Sequence, residues 1–179
     1  MALNSGLISQ LMSGAKWRNA DGSTATKITF GFPTSSAFAS GYGQQSGWQT
    51  FNSNQKLAAR EAIGLWDDLI APSLVEADGN SSDIKLSQTS TNISYAHAYL
   101  PGYVGREGTA GDRMAGSAWF NANNSALADP DPQEYAFLAV MHEIGHTLGL
   151  DHAGNYNGSG SAVTYGNTST GWALTEDNR

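Results

Sequence analysis

Hydrophobic and polar positions recur along this chain with two different periods. Lys27-Ile28-Thr29-Phe30-Gly31-Phe32 alternates every second residue and is rich in β-branched and aromatic side chains, which predicts a strand closed by Pro33. The Gly-, Ser- and Gln-rich stretch 34–47 reads as a loop. Beyond it, Leu57, Ala58, Ala62, Leu65, Trp66 and Leu69 fall on one helical face. Asn52 and Gln55 are placed to form a capping box and Pro72 to stop the chain, so a helix is predicted at about 53–70. Residues 83–86 and 93–100 read as strands, the second ending at Pro101-Gly102. A Gly-rich loop follows over 102–111, then a short strand over 116–121. A second helix is predicted at about 132–148. Asp131 serves as its cap, Pro132 as its first residue and Glu134 reaches back to the cap. Phe137, Val140, Met141, Ile144 and Leu148 form its buried stripe and Gly149 its terminator. Strands gathered mostly ahead of the second helix predict an α+β chain.

Composition narrows the classes of function. The 179 residues suit one domain, and a 40% hydrophobic share can bury a core. With 9 Lys+Arg against 16 Asp+Glu the net charge is −7, a surface that repels phosphate backbones and argues against nucleic-acid binding. No apolar run reaches the roughly 20 residues needed to span a bilayer. Residues 1–11 lack a basic head followed by a continuous apolar stretch, so no signal peptide is expected. The absence of Cys removes disulfides, thiol catalysis and thiolate metal ligands together. Any metal site must use His, Asp, Glu or Tyr.

The chemistry gathers in His142-Glu143-Ile144-Gly145-His146-Thr147-Leu148-Gly149-Leu150-Asp151-His152, which holds three of the four histidines. On a helix His142 and His146 project from one face a turn apart and can chelate one metal. Glu143, offset by one residue, can reach a water on that metal without being a ligand. Gly149 can take the left-handed conformation that ends a helix and turn the chain so that His152 returns as a third ligand. Three imidazoles without a thiolate suit Zn²⁺ and leave a fourth position open. Two histidines four apart are, taken alone, more often a solvated face. The glycine, the third histidine and the apolar opposite face of the helix decide for the metal. His97, alone in a strand-like run, reads as a satisfied structural histidine. Trp17, Trp48, Trp66 and Trp172 read as packing, and the acidic pair Asp129 and Asp131 as helix-start chemistry, so no calcium site is expected within the chain.

The 142–152 segment resembles the zinc-binding consensus of the metzincin metallopeptidases, and its surroundings resemble the serralysin family. Ala153-Gly154-Asn155-Tyr156-Asn157 is similar to the Pro-Gly-Asp-Tyr-Asn that follows the third histidine there. Thr29-Phe30-Gly31-Phe32-Pro33 resembles the family's first strand, and residues 95–102 its Tyr-Ala-x-x-Pro-Gly stretch. Residues 116–123, with Trp119 and Asn121, resemble its edge strand, and Thr175-Glu176-Asp177-Asn178-Arg179 its Ala-Glu-Asp-Thr-Arg. Asp151 stands where Ser is common and Ala153 where Pro is frequent; neither touches the metal set. The sequence stops at Arg179, ahead of the family's Met-turn with its zinc-binding Tyr and ahead of its calcium-binding Gly-Gly-x-Gly-x-Asp repeats.

The resemblance implies a metzincin-like fold: a twisted mixed sheet packed on the active-site helix (about 132–148) and a second long helix (about 53–70). It casts residues 1–179 as a metallopeptidase catalytic domain incomplete at its C-terminus. The implied activity is zinc-dependent endoproteolysis, with His142, His146 and His152 as ligands and Glu143 as general base. An extended substrate would pair along the edge strand through Ser117, Ala118, Trp119, Phe120 and Asn121, reading main chain and so giving broad specificity. Zinc is the implied cofactor, and calcium would belong only to a C-terminal region beyond this sequence. The implied partners are protein or peptide substrates and a C-terminal remainder, and the implied location is extracellular. The alternative reading is a non-catalytic zinc-binding fragment or subunit that needs the Met-turn part for activity. A third is an interaction domain with an incidental histidine cluster.

Overall fold

A computed structural model of the chain describes residues 11–91, 93–106 and 108–152. The segments 153–157 and 175–179 and Trp172 lie outside the described residues. The chain groups into two compact units, Ala15–Gly149 and a second made of the segments on either side of it. In the second unit Met12 and Leu150 form an antiparallel bridge, and the Asp151 N–H donates to the Leu11 carbonyl at 2.8 Å.

The Ala15–Gly149 unit is α+β. Its described strands are β1 (Lys27–Gly31), β2 (Trp48–Gln49), β3 (Ser73–Glu76), β4 (Ile84–Thr89), β5 (Ala96–Ala98) and β6 (Ser117–Asn121). The helices are α1 (Ser53–Asp67), α2 (Ala110–Met114) and α3 (Tyr135–Thr147). The sheet order is β3-β1-β4-β6-β5, with β2 also pairing to β4. Strands β3, β1, β4 and β6 are parallel, while β5 runs antiparallel to β6 and β2 antiparallel to β4. The mixed sheet and two long helices match the architecture expected above.

Period-two alternation sorts side chains between the two faces of the sheet. Ile28, Phe30, Ile84, Leu86, Ala118 and Phe120 pack with Ala58, Ala59, Ala62 and Ile63 of α1 and Phe137, Val140 and Ile144 of α3. The alternate residue Trp119 joins Phe38, Ala39 and Met114 in a second cluster on the other face, its ring stacked on Phe38 at 5.4 Å.

Helix α1 starts as expected, with Asn52 and Gln55 forming a reciprocal capping box. It ends three residues before 70, and Asp67 Oδ1 accepts the Leu74 N–H at 2.6 Å as the chain turns into β3. Its buried face also differs from the expected one. Ala58, Ala59, Ala62 and Ile63 point inward, while Leu57, Leu65 and Leu69 are 65%, 46% and 75% exposed. Small side chains let α1 lie close to the sheet and α3, and the leucines fall on the outer side. Helix α3 starts at Tyr135, not at 132. Asp131 closes a turn instead, its carboxylate accepting from the Gln133 N–H and its carbonyl from the Glu134 N–H, both at 2.9 Å. Helix α2 begins at the end of the stretch expected as loop and continues through residues given no element; Thr109 and Asp112 cap it reciprocally.

Candidate metal centre

Helix α3 is anchored along its inner face and at its C-terminal end. Phe137, Val140 and Ile144 are buried against the sheet. The Trp66 indole of α1 donates to the Met141 carbonyl at 3.1 Å, and the Trp17 indole donates to the Thr147 carbonyl at 2.8 Å. The last bond satisfies a carbonyl that the helix end leaves without an intrahelical donor. Gly149 then breaks the helix at φ +103, its N–H donating to the His146 carbonyl at 3.0 Å.

This anchoring holds the outer face in register. His142 is exposed and His146 half-buried. Their Nε2 atoms lie 2.9 Å apart, and the rings stand edge to face with centroids at 4.5 Å. A tetrahedral zinc with Zn–N near 2.0–2.1 Å holds two ligand nitrogens about 3.4 Å apart. The pair converges to within a few tenths of an ångström of that spacing.

Glu143, next in sequence to His142, is 7% exposed, and its Oε2 is buried without a hydrogen-bond partner. Desolvation raises its carboxyl to a pKa of about 7. A buried, unsatisfied carboxylate oxygen is costly unless something facing it donates a proton. With two converging imidazoles on the same helix, that donor set fits a metal ion carrying a water.

His152 belongs to the second unit, half-buried, with its N–H donating to Asp151 Oδ1 at 2.7 Å. Its place among the ligands rests on the motif spacing. Ser117, Ala118, Trp119, Phe120 and Asn121 do not form an edge strand. β6 pairs with β4 from Lys85↔Ser117 to Thr89↔Asn121 and with β5 at Ala96↔Phe120 and Ala98↔Ala118. Ser117 to Phe120 are buried, so this backbone is already paired on both sides.

The edge on this side of the sheet is β5. The Tyr99 N–H donates to the Ser117 carbonyl and the Asn121 N–H to the Tyr95 carbonyl, both at 2.9 Å. Tyr95, His97 and Tyr99 therefore turn their backbone groups to β6, and Ala96 and Ala98 turn theirs outward. Among the described residues no strand pairs with that side. The run Tyr95-Ala96-His97-Ala98-Tyr99 shows a strand in the sequence; which of two neighbouring strands ends a sheet is a matter of long-range pairing that local pattern does not carry. His97 is the structural histidine expected, with Gln44 Nε2 donating to its Nε2 at 2.9 Å.

Two histidines a turn apart on one helix, with a buried carboxylate between them in sequence, match the His-Glu-x-x-His pattern of zincin-type metal sites. Residues 44–178 match the Matrixin family, and the chain belongs to that family as a serralysin-type metzincin. It is 34% identical over 168 residues to metallopeptidase AprA of Pseudomonas marginalis, 90% of this chain and 34% of that protein. It is 35% identical over 128 residues to serralysin A of Dickeya chrysanthemi, 67% of this chain and 25% of that one. Over 148 residues it is 32% identical to the serralysin of Proteus mirabilis, 78% of this chain and 30% of that one. The chain thus spans a quarter to a third of the length of these relatives.

Proposed function

We propose that residues 1–179 lie within a zinc endopeptidase catalytic domain, that His142, His146 and His152 hold the metal, and that Glu143 is the general base. The observation that carries this reading is the buried, unpartnered Oε2 of Glu143 on the same helix as two imidazole nitrogens that converge to 2.9 Å. When bound, zinc supplies a Lewis acid that polarises the scissile carbonyl and brings the pKa of a coordinated water to about 7. Glu143 takes the proton of the attacking water and returns it to the leaving amine, and its low exposure keeps bulk water from competing for that proton. The anchored inner face of α3 fixes the orientation of His142, His146 and Glu143 before substrate arrives.

An extended peptide pairs with the outward N–H and C=O groups of Ala96 and Ala98. Main-chain pairing of this kind selects for an extended backbone more than for a particular sequence. The substrates are therefore proteins and unfolded peptides, and the family resemblance supports an extracellular location. Among the described residues no helix is long and apolar enough to cross a membrane.

Zinc content and casein hydrolysis, measured on the parent and two variants, test the reading. His146→Ala should lose the metal. Glu143→Ala should keep it and lose nearly all hydrolysis. Unchanged zinc in the first variant overturns the ligand set, and parental hydrolysis by the second overturns the general base. Zinc binding by the parent without hydrolysis would favour a zinc-binding fragment that needs a further segment for activity.

A further inference from the structure

On the face of the sheet turned away from α3, His97 stands in a small polar cluster that the proposed reaction does not use. Its strand neighbours Ala96 and Ala98 pack on the helix side, so alternation points the imidazole to the opposite face, opposite Trp119 in register. Gln44, in the 3-10 turn Gly43–Gly47, reaches over it. The Gln44 Nε2 donates to His97 Nε2 at 2.9 Å and to the Tyr99 hydroxyl at 3.0 Å. Tyr99 closes the cluster, edge-on to His97 at 5.7 Å and to Tyr42 at 5.8 Å. One primary amide thus ties the turn to His97 of β5 and to Tyr99 just beyond it, and one of its two acceptors is an imidazole nitrogen.

That acceptor exists only while His97 is neutral. A proton on Nε2 sets a donor against a donor. The titratable groups facing His97 among the described residues are the phenols Tyr99 and, behind it, Tyr42; no carboxylate compensates a charge there. Burial alone holds the His97 pKa below its ordinary value. A backbone tie to β4 persists, the Thr89 hydroxyl donating to the Gln44 carbonyl at 3.0 Å, so the effect stays local to the turn.

We propose that His97 is a pH-sensitive latch that fastens the Gly43–Gly47 turn to strand β5 and frees it when the imidazole is protonated in mildly acidic solution. The Gln45 N–H, bonded to the Tyr42 carbonyl, and the Ser90 N–H, bonded to the Gly47 carbonyl, report the state of the turn.

The test is amide exchange by NMR on the full chain between pH 7.5 and 5.0, corrected for intrinsic rates, alongside the His97 imidazole titration. The Gln45 and Ser90 amides should exchange about threefold to tenfold faster after protonation, the change expected from one lost hydrogen bond. Their midpoint should coincide with that of His97, below about 6.5, while α1 amides stay constant. His97→Gln should abolish the step. Where that variant fails to fold, Gln44→Ala should leave His97 titrating with no step in the turn. Flat exchange across the His97 titration overturns the latch, and so does a step that survives in either variant.

Discussion

Replacing Gly149 by Ala probes the turn between the second and third histidines of the motif. Gly149 has φ +103, where a Cβ is strained, and a Cβ there would press into the Ala15 carbonyl oxygen. Gly41 supplies the control: φ is +90, and a Cβ would meet nothing within 4 Å. At Gly41 the left-handed conformation costs about 1–2 kcal/mol, offset by about 0.4–1 from the less flexible unfolded chain, for a net loss near 1. Gly149 adds an overpacking cost of about 1–3 kcal/mol, because a backbone oxygen cannot swing aside as a side chain can. The expected destabilisation is therefore about 2–4 kcal/mol. For a chain of this size that lowers the melting temperature by roughly 4–16 °C, against about 2–4 °C for Gly41→Ala. Thermal melts followed by circular dichroism on both variants decide the matter. Equal losses at the two sites would show that the Ala15 contact adds nothing, and a Gly149→Ala protein as stable as the parent would refute the whole account.

Two further outcomes are expected. Asn52→Ala removes the side chain that accepts the Gln55 N–H and should cost about 1 kcal/mol in urea unfolding. The Glu76 carboxylate receives two hydrogen bonds from Arg60, both 2.7 Å, which pull its pKa below the ordinary 4.5, so NMR titration should place its midpoint under that value. The stabilisation from this pair is full above pH 4.5 and fades as pH falls through the folded pKa; because both side chains are well exposed it stays below about 1 kcal/mol, and Glu76→Gln should remove it.

Features written into neighbouring residues were legible from the sequence. The Asn52–Gln55 capping box, the Gly149 terminator and the buried stripe of α3 all lie within four residues of their partners or repeat at helical period. What the sequence hid was set by distant packing. The sequence pattern groups Leu57, Leu65 and Leu69 with Ala58 and Ala62, but the approach of α3 and the sheet buries the alanine side and leaves the leucines outside. Thr109 and Asp112 cap α2 inside a Gly-rich stretch whose composition masks them. Asp131 has the spacing of a helix cap but closes a turn instead, since its carbonyl and carboxylate satisfy two N–H groups before α3 begins. The position of β6 inside the sheet followed from β5 folding back against it, which neither strand announces. In the metal centre, the His142–His146 pair and Glu143 were readable by spacing. The burial of Glu143 and its unpartnered oxygen were not, because they depend on what covers the helix.

The Trp17–Thr147 bond joins residues 130 positions apart. Closing a loop of that length costs about 4 kcal/mol of chain entropy, so the tie cannot form ahead of the sheet that brings its ends together. On a growing polypeptide the indole emerges early and waits for the carbonyl until almost all of the Ala15–Gly149 unit has been made. Long-range closures of this kind slow folding. The histidine-bearing helix is therefore fastened at its C-terminal end among the last events of folding, when the strands beneath it are already in place.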